Sequence, residues 1–149
     1  MHFDDATRDR DIYDPGFIAA DELYALDGLN YPGNPSGYQT AVSSEPNVGY
    51  NGFARPVTFS CYNGVFDVHH MAMAPVWVDN LRVTITGYRP DGSIVQEIVI
   101  LPSRWEKFLW TSGSFTGLSR FELKGTTPGG SRSWVAFDDI CFTLPAGGC

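Results

Sequence analysis

Basic charge is scarce in this sequence. Ten Lys plus Arg stand against 17 Asp plus Glu, a formal net charge of −7 over 149 residues. No basic stripe forms, so nucleic acid and anionic membrane are not expected partners. Long apolar runs are missing too, and no segment is expected to insert in a bilayer. Met1-His2 is not followed by a basic segment and an apolar stretch, so secretion would imply a signal already removed. Cysteine is sparse. Cys61, Cys141 and Cys149 allow one disulfide and one leftover thiol. The Gly-rich tail, residues 144–149, gains order only if Cys149 is tied to Cys141 or to Cys61; three thiols are the other reading. Asn34-Pro35-Ser36 is blocked as a glycosylation sequon by its proline. Also absent are a Gly-x-Ser-x-Gly elbow, a Walker loop, His-Glu-x-x-His and Cys-x-x-Cys, which removes the positive case for an enzyme.

What the chain has is aromatics, at 14%, with 16 Gly and 10 Pro. That mixture favours many short strands and tight turns over helices. Residues 1–149 fit a single domain with one core. Its first part, about residues 6–48, reads as a long acidic loop region carrying Asp9, Asp11, Asp14, Asp21, Glu22 and Asp27. Within it, Asp14-Pro15 either caps a short helix through Phe17, Ala20, Leu23 and Tyr24 or belongs to irregular loop. From residue 49 the pattern is regular. Residues 57–61 and 65–73 read as a hairpin across Asn63-Gly64, and 81–88 returns through Arg89-Pro-Asp-Gly92 into 93–101. Residues 105–111 and 118–124 read as another pair, and 133–143 as the last strand. About eight short strands at this spacing predict an all-β, antiparallel β-sandwich.

The last strand carries Asp138-Asp139 in its middle, where burial of charge is costly unless it is met by a metal, an arginine or solvent. Phe3-Asp4-Asp5 repeats the Phe-Asp-Asp unit near the start, which suggests terminal strands side by side with converging carboxylates. These units, with Gly37-Tyr38-Gln39, Pro46-Asn47-Val48, Tyr50-Asn51-Gly52 and the Leu-x-Val-x-Ile-x-Gly strand at 81–87, form an ordered set. In that order the chain resembles the jelly-roll exoprotein domains associated with PEP-CTERM sorting, and more broadly the galactose-binding-like carbohydrate-binding modules. The resemblance implies a jelly roll whose terminal strands pair, with a structural calcium ion held by Asp4 or Asp5 and Asp138 or Asp139. Calcium takes about 6–8 oxygen ligands, so loop carbonyls would complete such a shell. In the alternative, one Asp of each pair faces solvent and the other bonds to arginine or backbone N–H.

His69 and His70 are neighbours on a predicted strand and so point to opposite faces. His70 shares the more apolar side and is expected partly buried, with His69 near the surface. Sugar rings offer apolar C–H faces that stack on indole and phenol rings. Trp77, Trp105 and Tyr62 fall at strand ends or turns, and Tyr38 and Tyr50 in loops, so these are the candidate carbohydrate contacts. Phe108 and Trp110 alternate on a strand and read as core. The reading is a secreted, non-catalytic carbohydrate-binding module for polysaccharide or glycan, with structural calcium. An extracellular matrix or protein-interaction domain without a glycan site is the alternative, and a polysaccharide-degrading enzyme the third.

Overall fold

The computed structural model describes residues 18–30, 36–43, 47–61 and 64–143. Ten strands among them form two five-stranded antiparallel sheets. The strands are β1 (Ile18–Asp21), β2 (Leu23–Asp27), β3 (Asn47–Asn51), β4 (Val57–Cys61), β5 (Asp67–Pro75), β6 (Leu81–Tyr88), β7 (Ile94–Leu101), β8 (Phe108–Thr111), β9 (Arg120–Thr126) and β10 (Val135–Thr143). The first sheet runs β1-β4-β9-β6-β7 and the second β2-β3-β10-β5-β8. This is the antiparallel sandwich that the strand spacing predicts, with the chain passing repeatedly from one sheet to the other in the jelly-roll manner.

Alternation decides what faces inward. Val57 and Phe59 on β4, Leu81, Val83 and Ile85 on β6, and Phe121 and Leu123 on β9 are fully buried and meet the inner face of the second sheet. Phe59 reaches across the gap, its ring 6.1 Å from Phe121 in its own sheet and 5.6 Å from Phe142 in the other. Burying each such phenylalanine contributes about 1.5–3 kcal/mol. Phe108 packs half-buried against this core and Trp110 lies inside it, as their alternation predicts.

Several pairings differ from the sequence expectation. The segment expected as loop or helix holds β1, β2 and a short helix, α1 (Gly37–Ala41). Leu23 and Ala25 are buried in the core with Tyr24 between them on the other face, a period of two that no helix offers. Glu22, at φ 57°, is the pivot that carries the chain from β1 in one sheet to β2 in the other. The strands around Asn63-Gly64 do not form a hairpin, nor do those around Ser112-Gly113-Ser114. β4 and β9 lie in the first sheet and β5 and β8 in the second, so each turn crosses the sandwich. Residues 62–63 themselves lie outside the described residues. Only β6–β7 closes as the local signal says, through Gly92 at φ 88° and the Gly92 N–H to Arg89 O bond of 3.0 Å. There the Ser93 N–H bonded at 2.8 Å to Asp91 holds that carboxyl below the usual carboxylate range.

The last strand resolves the puzzle of its two acids. Val135 and Phe137 face the core, and so do Ile140 and Phe142, a change of phase by one residue. The register with β5 shifts at this point, and Asp139 sits at φ 51°, so a β-bulge absorbs the extra residue. Both carboxylates thereby stay off the core face. β5 carries a matching irregularity: Val68 and Met71 both face inward, so His69 and His70 both lie off the core. The expectation for the histidines is therefore corrected. His70 is exposed and His69 half-buried, bonded through Nε2 to the Thr143 hydroxyl. The bulge voids the strict alternation on which that expectation rested.

Candidate functional site

On the outer face of the second sheet one cross-strand row reads Tyr24, Tyr50, Ala136, Ala74, on β2, β3, β10 and β5 in turn. Two large rings stand beside two methyl groups. Over the methyl half lies α1, whose Tyr38 and Ala41 pack on Ala74, Val76, Ala136 and Val48. Gly37 allows that approach: a Cβ there would lie 1.8 Å from the Pro75 carbonyl oxygen. Its own N–H donates to Val76 O at 3.0 Å, so the helix starts pinned to the end of β5. What remains over the tyrosine half is an open groove of about 340 Å³, lined by Tyr24, Tyr38, Tyr50, Gly52, Phe53, Trp77 and Trp134.

The rings brace one another. Tyr38 meets Tyr50 edge to face at 5.3 Å and Trp77 at 5.8 Å, with planes at 72° and 90°. Tyr24 lies 5.8 Å from Tyr50 and 5.9 Å from Phe53. Such pairs contribute about 0.5–1.5 kcal/mol each beyond their area, which fixes ring orientation. Gly52 forms part of the floor, and Tyr24 rests so closely on it that a Cβ would lie 2.0 Å from the ring. Trp134 is placed from beneath. The buried Asn51 accepts the Val135 N–H at 2.7 Å and donates to Ser133 O at 3.1 Å, holding the residues on either side of Trp134.

Phe53 stands at the lip, 63% exposed, with a left-handed backbone at φ 54°, and Ala54 follows at φ 58°. A bulky side chain in that region is a genuine outlier costing about 1–3 kcal/mol. It is held by its surroundings: Gly52 N–H bonds to Glu22 O at 2.8 Å, Arg55 pairs with Glu22 at 3.3 Å, and the Arg55 guanidinium sits 5.7 Å over the Phe53 ring.

Of the residues singled out in the sequence, Trp77 and Tyr38 are brought together here, and Tyr50 beside them. Trp77 is 39% exposed, whereas Tyr38 is almost wholly buried and offers the groove only part of its ring. Trp105 is not in the groove. It lies exposed in the segment before β8, with the Arg104 guanidinium 5.6 Å from its ring. That segment is strapped to α1, since Thr40 donates to Arg104 O and Lys107 to Val42 O, and Arg104 itself donates to Trp77 O at 3.0 Å. Tyr62 lies outside the described residues. Tyr24, Phe53 and Trp134 were not anticipated; the alternation Leu23-Tyr24-Ala25 was the one signal that could have exposed Tyr24.

The acidic pair lies elsewhere on the same outer face. Asp138 is fully buried, its Oδ2 accepting the Ser43 N–H at 2.8 Å and its Oδ1 the Asp139 N–H at 2.9 Å. Asp139 and Ser43 border a second hollow, of about 250 Å³, with His70, Leu109 and Thr111. Among the described residues no three His, Cys, Asp or Glu side chains gather to hold a metal ion. Asp4 and Asp5, the expected partners, lie outside the described residues, as does Cys149.

No family model matches the chain, and no curated protein matches its sequence. Two solved structures have a similar layout. The carbohydrate-binding module TmCBM61 in complex with beta-1,4-galactotriose is 9% identical, over 90% of this chain and 98% of that one, with a TM-score of 0.48. A second, titled Family 16 Carbohydrate Binding Module-2, is 11% identical over 89% of each chain, with a TM-score of 0.40. No residue is carried over from either.

Proposed function

We propose that this chain is a non-catalytic carbohydrate-binding module whose glycan lies in the aromatic groove. The observation that supports it is the groove itself. Six aromatic side chains from β2, α1, β3 and the ends of β5 and β10 border one open hollow on the outside of the sandwich, away from the main core. Rings held at fixed tilt can stack on the apolar faces of sugars, while phenol hydroxyls and indole N–H groups offer partners for sugar hydroxyls. The hollow is at the small end of the range for ligand sites, ~300–1,000 Å³, which suits a short stretch of glycan.

The same reading extends to export, as in the PEP-CTERM-associated exoproteins that the motifs resemble, and to a structural calcium ion. Asp138 and Asp139 would supply that ion together with Asp4 or Asp5. What favours this is the bulge, which turns both acids of the last strand to the outer side. A disulfide from Cys149 to Cys141 would secure the tail, with Cys61 the thiol; intact mass before and after reduction tests it.

A glycan array followed by titration calorimetry tests the main proposal. Binding lost in Trp77→Ala, with the fold retained, supports it, and no binding to any glycan sinks it. In that event the matrix or protein-interaction reading takes its place. It has its own observation: Ile94, Ile98 and Ile100 stand exposed on β7, an edge strand of the first sheet. An exposed apolar edge is a surface for strand pairing with another chain.

A further inference from the structure

Among the described residues, none that lines the groove is an acid or a base. They are tyrosine, tryptophan, phenylalanine and glycine, with no carboxylate, guanidinium or amine among them. Among the described residues two cations approach its rim, and each has partners outside the groove. Arg55 is paired with Glu22 and lies over Phe53, and Arg104 donates to the Trp77 carbonyl and lies over Trp105. An anionic sugar would therefore shed water from its carboxylate and find no charge-assisted partner among the described lining residues. The net charge of −7 adds long-range repulsion of a polyanion.

Phe53 carries the second half of the argument. An exposed phenylalanine gains nothing from burial, and a left-handed backbone costs it conformational energy. Nevertheless the Glu22–Arg55 pair and the Gly52 N–H to Glu22 O bond hold its ring at the groove lip, edge-on to Tyr24. Strain that persists because its surroundings enforce it points to use rather than to packing. We propose that the groove selects uncharged glycans, and that Phe53 is the specificity-determining lip that closes over the sugar. This rests on the glycan reading given above.

The test pairs acidic polysaccharides (polygalacturonate, alginate) with their carboxyl-reduced counterparts, alongside neutral β-glucan, glucomannan and galactan. Affinity is measured for the intact chain in moderate salt. Phe53→Gly and Phe53→Asn are measured beside it, because both residues accept a left-handed backbone and so leave the turn unstrained. The expected result is binding to neutral members, at least roughly tenfold weaker binding to any acidic member than to its reduced form, and a loss of roughly tenfold in both variants. Their melting temperatures should equal or exceed that of the parent, which separates a ligand contact from a structural one. Equal or tighter binding of an acidic polysaccharide overturns the selectivity while leaving the glycan reading intact. Unchanged affinity in both Phe53 variants overturns the role of the lip. Binding to no polysaccharide at all removes the reading on which the proposal rests.

Discussion

Tyr38 stands edge-on to Trp77, ring centroids 5.8 Å apart and planes at 90°, although the two lie 39 positions apart in the chain. This contact joins the helix laid over the second sheet to the end of β5, and makes one wall of the groove from both. Trp77 has an exposed face that Tyr38 orients, whereas Trp105 stands outside the groove and has Arg104 over its ring. The two tryptophans therefore differ in setting, and the glycan reading gives them different roles. Trp77→Ala is expected to weaken glycan binding by at least ~10-fold, the scale of a buried aromatic anchor, and Trp105→Ala by much less. Calorimetric titration with the best glycan from an array measures both; an equal loss in the two would move the site towards residues 104–109.

Gly37 sets how closely the helix approaches the sheet. An added Cβ would fall 1.8 Å from a backbone oxygen of Pro75 and 2.9 Å from Val76 Cα, and backbone cannot swing aside as a side chain can. Gly37→Ala must therefore lift α1 off Ala74 and Ala136. A destabilisation of about 1–3 kcal/mol is expected, the usual cost of overpacking. Because Tyr38 moves with the helix, glycan affinity should fall together with the melting temperature. Retained affinity in a folded Gly37→Ala variant would show that Tyr38 does not order the groove.

Much of the architecture was written locally, and the site was not. The β6–β7 hairpin declares itself through strict alternation and an Asp91-Gly92 turn, so its bounds and register could be read directly. β4–β5 and β8–β9 carry turn signals of similar strength but cross between sheets. A turn marks where a chain reverses, not which sheet receives it. The acids of β10 and the histidines of β5 defeated the reading of alternation because bulges shift its phase, and a bulge depends on the partner strand. The groove draws its rings from five separate stretches of chain. Each ring taken singly looks like packing, and only the row Tyr24–Tyr50–Ala136–Ala74 shows that large and small residues were set side by side.

Asn51 substitutes for strand pairing at the start of β10. Its amide satisfies the Val135 N–H and the Ser133 carbonyl, both far from water. Asn51→Leu keeps the volume but leaves both backbone groups unpaired, at about 1–3 kcal/mol each. A loss of ~2–5 kcal/mol in denaturant unfolding is expected. Asn51→Asp, which still accepts the Val135 N–H but cannot donate to Ser133 O, should fall between the two. If Asn51→Leu were as stable as the parent, the placement of Trp134 by this amide would be wrong.

Calcium dependence is best tested at Asp139 rather than at Asp138. Asp138 already accepts two backbone N–H groups, so Asp138→Asn weakens the link between β10 and the residue after α1 whether or not an ion binds. Its effect on stability cannot separate the two causes. Asp139 projects from the bulge beside it, on the outer side of the strand. A native-state ligand at 100 times its Kd stabilises by about 2.7 kcal/mol. If the terminal ion exists, thermal unfolding in excess calcium should exceed that in chelator by several degrees, and Asp139→Asn should abolish the difference while leaving the chelated melting temperature near that of the parent. A parent protein indifferent to calcium would leave Asp138 as a carboxylate that accepts the Ser43 and Asp139 N–H groups without an ion beside it, and would detach the calcium proposal from the glycan proposal, since none of the groove's described lining residues is acidic.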